Sequence, residues 1–570
     1  MLSRVSFPLA LLSALAAPIG AQQTVPERTQ GARTSSHAEV LAFLDSLQHH
    51  GARMQVGTLG TSPQGKHLPY VVLSRPLVTT PAAAHRTGKP ILYIQANIHA
   101  GEVEGKEAVQ RLMRDLTLGP LRPLLDSVVL IVVPIYNADG NDALGPQERN
   151  RSEQNGPALV GLRPNGQGYD LNRDYVKQDA PETRASLALI NSWDPDLFMD
   201  LHTTDGSYHG YALTWSPGLN ANRSPSNGWV QDTVLEQVRA RVRSRFNFET
   251  YPYGNFRGGN ANPTGWDTYE SLPRYGTNLQ GMTRFSILSE AMSHDPFLRR
   301  IDATYAFVLE TVRYFAEHTG ALRRHRALTA AWRPDSVIVR GNVLASSPSR
   351  RDTVLVAITR IDTLPPADSA AVANAPRPPV IAPVIGCTAA PTSPSGPPRG
   401  GARPPSTGPR TELALTGVSR PVVMEVHDRF TGVRSEAMPS AYLIDSGHEK
   451  VVELLRRQGV RVERLSRAWV GPSERFLVDT VVRATRANEG HCGVRVEGAW
   501  STGAPDTVAA GTFLVSTNQR FGLLAAFLLE PASEDGYTTW NFFDDALEAH
   551  RVHPVRRLRA LRSVPRRAVP

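Results

Sequence analysis

Two residues whose side chains commonly bind metal ions stand three positions apart in the segment NIHAGEVEGKEA. His99 follows an apolar run typical of a strand, and Glu102 precedes a segment with helical periodicity, so both side chains can reach one point. An imidazole and a carboxylate suit zinc, and a catalytic zinc takes three protein ligands and leaves one position for water. The pair alone is weak evidence, because about one such match is expected by chance in a chain of this length.

Two further candidates stand where other apolar runs end. His202, in PDLFMDLHTTDG, would supply the third ligand, although a lone histidine there could also be a capped or surface residue. Glu290, in RFSILSEAMSH, could act as a general base and acid on a water molecule, or instead pair with Arg284 or cap a helix. Because ligands gather at the carboxyl ends of strands in open α/β sheets, we expect these residues to meet at one edge.

The segment GYDLNRDY adds groups that could support a metal ligand and bind a substrate. Asp170 could accept a hydrogen bond from the second ring nitrogen of a metal-binding histidine and so fix its tautomer. Asn172 and Arg173 place an amide beside a guanidinium, whose forked donors suit both oxygens of a carboxylate. This segment therefore predicts recognition of a substrate carboxylate.

The order H-x-x-E, D-x-N-R, H and E closely resembles the zinc carboxypeptidase family represented by pancreatic carboxypeptidase A. The resemblance covers residues 36–320, and the joint set of motifs is specific where each part is not. It implies one zinc ion per chain and a hydrolase that acts on peptides with a free C-terminus. The implied roles are zinc ligands for His99, Glu102 and His202, support of a ligand for Asp170, carboxylate binding for Asn172 and Arg173, and catalysis for Glu290.

The resemblance also implies an arginine that polarises the scissile carbonyl and a mobile tyrosine that covers the substrate. For the arginine we predict Arg151, in ERNRSEQNGP, with Arg149 as the competitor. For the tyrosine we predict Tyr275, in LPRYGTN, over Tyr269, because the flanking proline and glycine are typical of a loop. No residue that defines side-chain preference can be carried over.

Alternating strand-length and helix-period segments in residues 36–320 predict an α/β fold with a mixed, largely parallel sheet flanked by helices. The strand candidates are KPILYIQANIHA, SVVLIVVPIYN, PDLFMDLHTT and RFSILSEA. The helix candidates are residues 103–118, 181–193, 229–246 and 297–318.

The remainder of the chain has a different character. Residues 321–363 read as a short β-rich connection, and residues 364–409, crowded with Pro, Ala, Ser and Gly, as a linker or surface loop. Residues 410–555 predict a β-rich accessory domain with one helix at 447–458. Residues 556–570 form a basic tail that we interpret as solvated, although a membrane or an acidic polymer could contact it.

The N-terminus predicts a secreted or periplasmic protein. Residues 1–21 carry one arginine, an apolar run and a small-residue end typical of a cleaved signal peptide, and the run is too interrupted for a membrane anchor. No later segment is apolar enough to span a bilayer. The formal net charge is +9, but no nucleic-acid motif accompanies it. Cys387 and Cys492 either form one disulfide or stay as buried thiols.

The sequence therefore predicts a secreted zinc metallocarboxypeptidase that releases C-terminal residues. One alternative is a zinc-dependent amidase or deacylase acting on cell-wall or N-acyl amides. Another is a non-catalytic surface-binding protein, against which the full set of catalytic residues argues. The sequence leaves the physiological substrate, the oligomeric state and the role of the C-terminal half open.

Overall fold

The computed structural model describes residues 22–342, 350–364, 368–383, 387–388, 410–562 and 564–568. The predicted signal peptide and residues 389–409 of the predicted linker lie outside this part of the chain. Among the helices that it contains, none combines the length and the apolar character that crossing a bilayer requires.

An eight-stranded mixed sheet forms the centre of the N-terminal half. Its four central strands run parallel, and each is an apolar run buried along its whole length, as expected where both faces of a sheet are covered. In order across the sheet, the strands are Gln55–Thr61, His67–Leu73, Val129–Val133, Ile91–Ala96, Leu197–Thr203, Phe285–Ala291, Leu213–Pro217 and Thr250–Pro252.

Helices cover both faces of this sheet. One face packs against Glu104–Thr117, Leu235–Phe246 and Phe297–Glu317 in a continuous hydrophobic core. The core on the other face is shared between the helix Pro181–Trp193 and apolar residues from the C-terminal half, including the buried helix Gly522–Leu529. The predicted α/β fold with a mixed sheet flanked by helices is therefore confirmed, and so is a β-rich C-terminal region.

The predicted helix at 229–246 starts too late. The helical segment begins at Pro225, where the Ser224 side chain accepts a hydrogen bond from the backbone of Asn227 and caps the first turn. It continues as Pro225–Trp229, the π-helical turn Val230–Val234 and Leu235–Phe246. The other helices of this half are Val25–Arg28, His37–His49, Pro81–Arg86, Ala138–Asp142, Gln147–Asn150, Gly276–Gly281 and Thr319–Ala331, with 3-10 turns at Arg122–Asp126 and Leu171–Arg173.

A long hairpin joins the two halves. Strands Arg350–Leu364 and Arg410–His427 pair antiparallel, and the second also pairs with Gly265–Asp267, beside Asn255–Arg257. The segment predicted as a linker thus connects two strands of one hairpin, and its described part contains the helix Ser369–Asn374. The other strand pairs outside the two large sheets are Ser336–Asn342 with Thr431–Ala437, Gly145–Pro146 with Leu159–Val160, and Trp469–Gly471 with Asp506–Val508.

A seven-stranded sheet dominates the C-terminal half, together with the helices Glu449–Arg457 and Gly522–Leu529 and the 3-10 turn Asp544–Ala546. In order, its strands are Val494–Thr502, Glu474–Arg483, Val552–Leu558, Ala441–Ile444, Phe513–Ser516, Glu463–Leu465 and Arg566–Ala568.

The beginning of the predicted basic tail belongs to this sheet. The boundary predicted at residue 556 falls inside the strand Val552–Leu558. Arg557 is buried there, and its Nε donates to Glu530 Oε1 at 2.8 Å. The interpretation of the tail as solvated is wrong for Arg557, whose charge a buried carboxylate balances, whereas Arg559, Arg562, Arg566 and Arg567 are exposed.

The two cysteines form a disulfide. Cys387, in the predicted linker, bonds to Cys492, in the loop before the strand Val494–Thr502, with the two Cα atoms 5.8 Å apart. Of the two alternatives left open by the sequence, the structure has the disulfide. It fastens the middle of the predicted linker to the C-terminal half.

Candidate active site

The candidate site lies where three parallel strands of the main sheet end. His202 and Glu290 are register partners on the neighbouring strands Leu197–Thr203 and Phe285–Ala291. Side chains of paired residues project to the same face of a sheet, so these two lie side by side. His99 follows the third strand, Ile91–Ala96, by three residues. The predicted meeting of these residues at one edge of the sheet is confirmed.

A tight turn brings His99 and Glu102 together. Asn97 adopts a left-handed conformation with φ of 65°, which asparagine tolerates better than most residues, and its amide donates to the carbonyl of Ala100 at 3.3 Å. The Glu102 backbone N–H donates to the His99 carbonyl at 3.0 Å. Glu102 therefore stands just before the helix Glu104–Thr117, as the sequence predicts.

His99, Glu102 and His202 form a compact group, which we call the ligand cluster. His99 Nδ1 lies 2.9 Å from Glu102 Oε1, and His202 Nδ1 lies 2.9 Å from Glu102 Oε2. One potential ligand atom from each residue lies within 4.8 Å of the other two, and all three residues are buried. Two imidazole nitrogens and a carboxylate are a donor set that zinc prefers.

The outer ring nitrogens explain why a cation suits this group. His99 Nε2 lies 3.0 Å from Asp170 Oδ1, and His202 Nε2 lies 3.2 Å from Asp200 Oδ2. A neutral imidazole has one N–H and one lone pair, so an outer N–H that His99 donates to Asp170 leaves its Nδ1 lone pair directed at the Glu102 carboxylate. Electron-rich atoms would then face one another without a positive charge between them. A divalent cation fits this arrangement.

Electrostatics within the ligand cluster are strong. Burial alone would raise the pKa of Glu102, but His99, Arg151 and His202 outweigh it and hold this pKa well below its usual range. Burial would lower the pKa of His202, yet the carboxylates of Asp200 and Glu102 raise it well above its ordinary value. The surroundings thus favour a negative charge on Glu102 and a positive charge beside it at His202.

Glu290 is a buried carboxylate beside the ligand cluster. Burial raises its pKa well above the ordinary value; the positive charge of His202 opposes the increase, and the carboxylates of Glu102 and Asp205 add to it. A cation bound at the cluster would lower the pKa again, because it favours the ionised form. Such a group can hold or release a proton according to its neighbours, as a general base and acid must.

Two arginines reach the ligand cluster. Arg151, the predicted residue, is 2% exposed; its Nη1 donates to Glu102 Oε1 at 3.1 Å and its Nη2 to the carbonyls of Thr203 and Thr204. Arg163 was not predicted; its Nε donates to Asp170 Oδ2 at 2.9 Å and its Nη1 to Glu102 Oε1 at 3.3 Å. Arg149, the competitor, forms no hydrogen bond or ion pair with these residues in the described part of the chain.

Asp170 links the ligand cluster to the predicted carboxylate-binding pair. Besides contacting His99 and Arg163, its side chain accepts a hydrogen bond from the Asn172 backbone at 2.9 Å and caps the 3-10 turn Leu171–Arg173. The Asn172 amide Nδ2 lies 3.4 Å from His202 Nε2, and its Oδ1 accepts from the Gly276 backbone at 3.0 Å. The three residues of the D-x-N-R motif are thus brought to the site.

Arg173 and Tyr275 form a stacked pair. The Arg173 guanidinium lies 4.0 Å from the centroid of the Tyr275 ring, and the Tyr275 hydroxyl donates to Glu270 Oε2 at 2.8 Å. Tyr275 is the residue just before the helix Gly276–Gly281 and is mostly buried, whereas the Arg173 side chain is 23% exposed. Beyond Nη1, which donates to the Asn172 carbonyl at 2.9 Å, the guanidinium has no hydrogen bond within the described residues. Its other nitrogens are therefore free to bind a ligand.

The family comparison agrees with this geometry. Residues 40–285 match the family model described as zinc carboxypeptidase. The resemblance read from the motifs is thereby confirmed for this part of the chain. The match supports a peptidase function.

Individual relatives are distant. Carboxypeptidase 2 of Trichophyton rubrum is 21% identical over 488 residues, which cover 84% of this chain and 78% of that protein. Succinylglutamate desuccinylase of Pseudomonas paraeruginosa is 24% identical over 250 residues, which cover 39% of this chain and 71% of that protein. Among solved structures, carboxypeptidase A of Helicoverpa armigera aligns with a TM-score of 0.38 at 17% identity, covering 50% of this chain and 75% of that one.

Sequence reasoning missed three residues that contact the site. Arg163, in GLRPNGQGYDLNR, stands seven positions before Asp170, and its place in a Pro- and Gly-rich loop before the motif was a usable signal. Asp200 lies two residues before His202 on the same strand and so on the same face, which period-two reasoning would have found. Glu489, whose carboxylate accepts a hydrogen bond from the Asp170 backbone at 2.8 Å, lies far along the chain and carried no local signal.

Proposed function

We propose that this protein is a zinc-dependent metallocarboxypeptidase that binds one zinc ion through His99, Glu102 and His202. The observation that supports it best is the convergence of the two Nδ1 atoms on the two oxygens of one buried carboxylate. When bound, zinc acts as a Lewis acid and lowers the pKa of a coordinated water. Asp170 orients the His99 imidazole through its outer nitrogen, and Asp200 lies 3.2 Å from the outer nitrogen of His202 as an ion-pair partner.

Glu290 is the proposed general base. Its place beside His202 on the neighbouring strand lets a carboxylate oxygen take a proton from the water that attacks the peptide carbonyl. The same oxygen then returns the proton to the leaving amine. The buried setting supports both steps, because it keeps the proton affinity of the carboxylate high enough to accept it.

We assign stabilisation of the oxyanion to Arg163, with Arg151 as a brace for Glu102. Both terminal nitrogens of Arg151 are engaged by Glu102 and by backbone carbonyls. The Arg163 side chain is 13% exposed, and its Nη2 forms no hydrogen bond within the described residues. A donor that is held in place and not yet satisfied can meet developing negative charge without reorganisation.

Arg173 and Asn172 are the proposed binding group for the terminal carboxylate of the substrate. The unengaged nitrogens of Arg173 present a fork that matches two carboxylate oxygens, and Tyr275 supports the guanidinium from one side. A requirement for a free C-terminus makes the reaction an exo-cleavage. Release of C-terminal residues from peptides is therefore the activity that we propose.

Export from the cytoplasm is the proposed localisation. Residues 1–21 have the pattern of a signal peptide, and the Cys387–Cys492 disulfide is typical of an oxidising compartment.

A zinc-dependent deacylase or amidase is the second candidate. It is favoured by the similarity to succinylglutamate desuccinylase, which covers 39% of this chain. Such an enzyme would use the ligand cluster and Glu290 in the same way. It would differ in which carboxylate Arg173 binds.

A pair of peptides separates the candidates. With the wild type, we expect a peptide with a free C-terminus to be cleaved about a hundredfold faster than its C-terminal amide, because the amide loses a charge-assisted interaction with Arg173. The Arg173→Ala variant should remove most of this preference, whereas Arg551→Ala, at an exposed arginine, should keep it. Equal cleavage of both peptides, or hydrolysis of N-succinyl amino acids alone, would refute the carboxypeptidase proposal.

A further inference from the structure

A loop of the C-terminal half contacts the candidate active site. Glu489, in the segment ANEGHCGV, places its Oε2 2.8 Å from the backbone nitrogen of Asp170, which donates a hydrogen bond to it. The two residues are 319 positions apart in the chain. This is a direct bond between the accessory region and the D-x-N-R motif.

Asp170, which Glu489 contacts, connects the ligand cluster to the carboxylate-binding group. One Asp170 oxygen contacts His99 Nε2 and the other accepts from Arg163 Nε. Its side chain also caps the turn that carries Asn172 and Arg173. A shift of the Asp170 backbone would therefore displace the carboxylate-binding group relative to the ligand cluster.

The loop around Glu489 is fixed at several points. The disulfide between Cys387 and Cys492 holds one side, and the backbone of Thr388 forms hydrogen bonds with Thr485 at 3.1 Å and Ala487 at 2.9 Å. These contacts limit the freedom of the loop before it reaches Asp170.

A second contact ties the same loop to the catalytic half, since His491 Nε2 lies 3.0 Å from Asp179 Oδ2. Glu489 itself has a φ of 51°, in the left-handed region that residues other than glycine rarely adopt. Such a conformation persists only where surrounding contacts impose it. Backbone hydrogen bonds between Asn488 and His491 close a two-residue turn around Glu489 and Gly490, both with positive φ, and this turn presents the Glu489 carboxylate to Asp170.

We propose that Glu489 is a positioning residue for substrate binding, through which the C-terminal half fixes the turn that carries Asn172 and Arg173. This inference rests on the proposed function, because it assigns Arg173 the terminal carboxylate of the substrate. Glu489 acts through the Asp170 backbone and does not touch the substrate. The C-terminal half is then a required part of the binding site.

Steady-state kinetics of two variants test the proposal. Glu489→Ala removes the acceptor and should raise KM for a peptide with a free C-terminus about tenfold, with kcat changed less than about twofold. Glu489→Gln keeps an acceptor oxygen for the Asp170 N–H and should restore KM to within about threefold of the wild type. A merely structural role would give a loss of active protein without this split between KM and kcat.

Glu534→Ala is the matched control. Glu534 is also a partly buried carboxylate of the C-terminal half that accepts a backbone hydrogen bond, from Gly341 at 3.0 Å. Its loss should leave KM unchanged. Equal KM values for Glu489→Ala, Glu534→Ala and the wild type would overturn the proposal.

Hydrogen exchange gives a readout that needs no activity. In Glu489→Ala, the Asp170 amide should exchange about tenfold faster than in the wild type, because its hydrogen bond is lost, and Glu489→Gln should stay close to the wild type. Unchanged exchange in Glu489→Ala would contradict the positioning role. If the wild type cleaves no peptide with a free C-terminus but the variants show the expected exchange pattern, the proposed function is refuted, whereas the contact between Glu489 and Asp170 is supported.

Discussion

The two sides of the candidate site are built differently. On the metal side, His202 and Glu290 are register partners on adjacent parallel strands, and His99 follows a third strand directly. On the recognition side, Asn172 and Arg173 lie on one 3-10 turn. The position of that turn depends on contacts with residues more than a hundred positions away.

This difference separates the residues expected to bind the metal from those expected to bind the substrate. Strand register fixes His202 beside Glu290, and the tight turn after Ile91–Ala96 brings His99 and Glu102 to them. The recognition side needs the C-terminal half to hold it. We therefore expect changes on the metal side to abolish chemistry, and changes on the recognition side to alter substrate binding or stability.

The largest effect should follow from Glu290→Gln. The substitution keeps the size of the side chain but removes the proton acceptor, so kcat should fall about 10⁴-fold. Zinc content should remain that of the wild type, since Glu290 is outside the ligand cluster. Rates with a chromogenic peptide, paired with metal analysis, check both points; a rate within tenfold of the wild type would exclude Glu290 as the base.

Loss of the disulfide should act on stability rather than on the metal side. The bridge closes a loop of 105 residues, so Cys387→Ser together with Cys492→Ser should lower the free energy of unfolding by about 4 kcal/mol. Urea denaturation of both proteins measures the change, with zinc content as the second readout. An unchanged urea midpoint would show that the disulfide does not stabilise the fold. A loss of zinc from the folded variant would show that the disulfide also acts on the metal side.

Arg163 and Arg151 lie where the two sides meet, and their variants test which of the two stabilises the oxyanion. Arg163→Ala should lower kcat about 10²-fold with zinc affinity little changed, because its free nitrogen meets the oxyanion. Arg151→Ala should mainly weaken zinc binding, because Glu102 loses a buried partner. Kinetics under saturating zinc and zinc titration with a competing chelator separate the two effects. The reverse pattern would return the oxyanion role to Arg151.

The smallest effect is expected at the contact between the two sides. Asp170→Asn should weaken zinc binding about tenfold, because the outer nitrogen of His99 loses its carboxylate partner. Competition with a chelator measures this affinity. The matched Asp179→Asn variant, at a carboxylate that contacts His491 instead, should bind zinc like the wild type. Equal zinc affinities of the wild type, Asp170→Asn and Asp179→Asn would show that Asp170 does not orient His99.

The metal side could be predicted from the sequence because each of its residues follows an apolar run. His99, His202 and Glu290 stand at strand ends, and parallel strands bring their carboxyl ends to one edge. The central sheet and the helices 181–193 and 297–318 were predictable for the same reason, since periodicity is a local property.

The contacts across the chain could not be predicted in this way. The bond from Glu489 to Asp170 and the burial of Arg557 against Glu530 join segments whose local patterns give no sign of the partner. A charged stretch looks the same in sequence whether water or a buried carboxylate surrounds it. The choice between Arg151 and Arg163 also depends on which backbone carbonyls each side chain meets in the fold.

Anomalous diffraction at the zinc absorption edge tests the central claim most directly. Crystals of the wild type grown with zinc should give one strong peak per chain, about 2.0–2.2 Å from His99 Nδ1, His202 Nδ1 and a Glu102 oxygen. The peak should be absent in His202→Ala. A wild-type map without a peak among these three residues, or with its strongest peak elsewhere on the chain, would contradict the account.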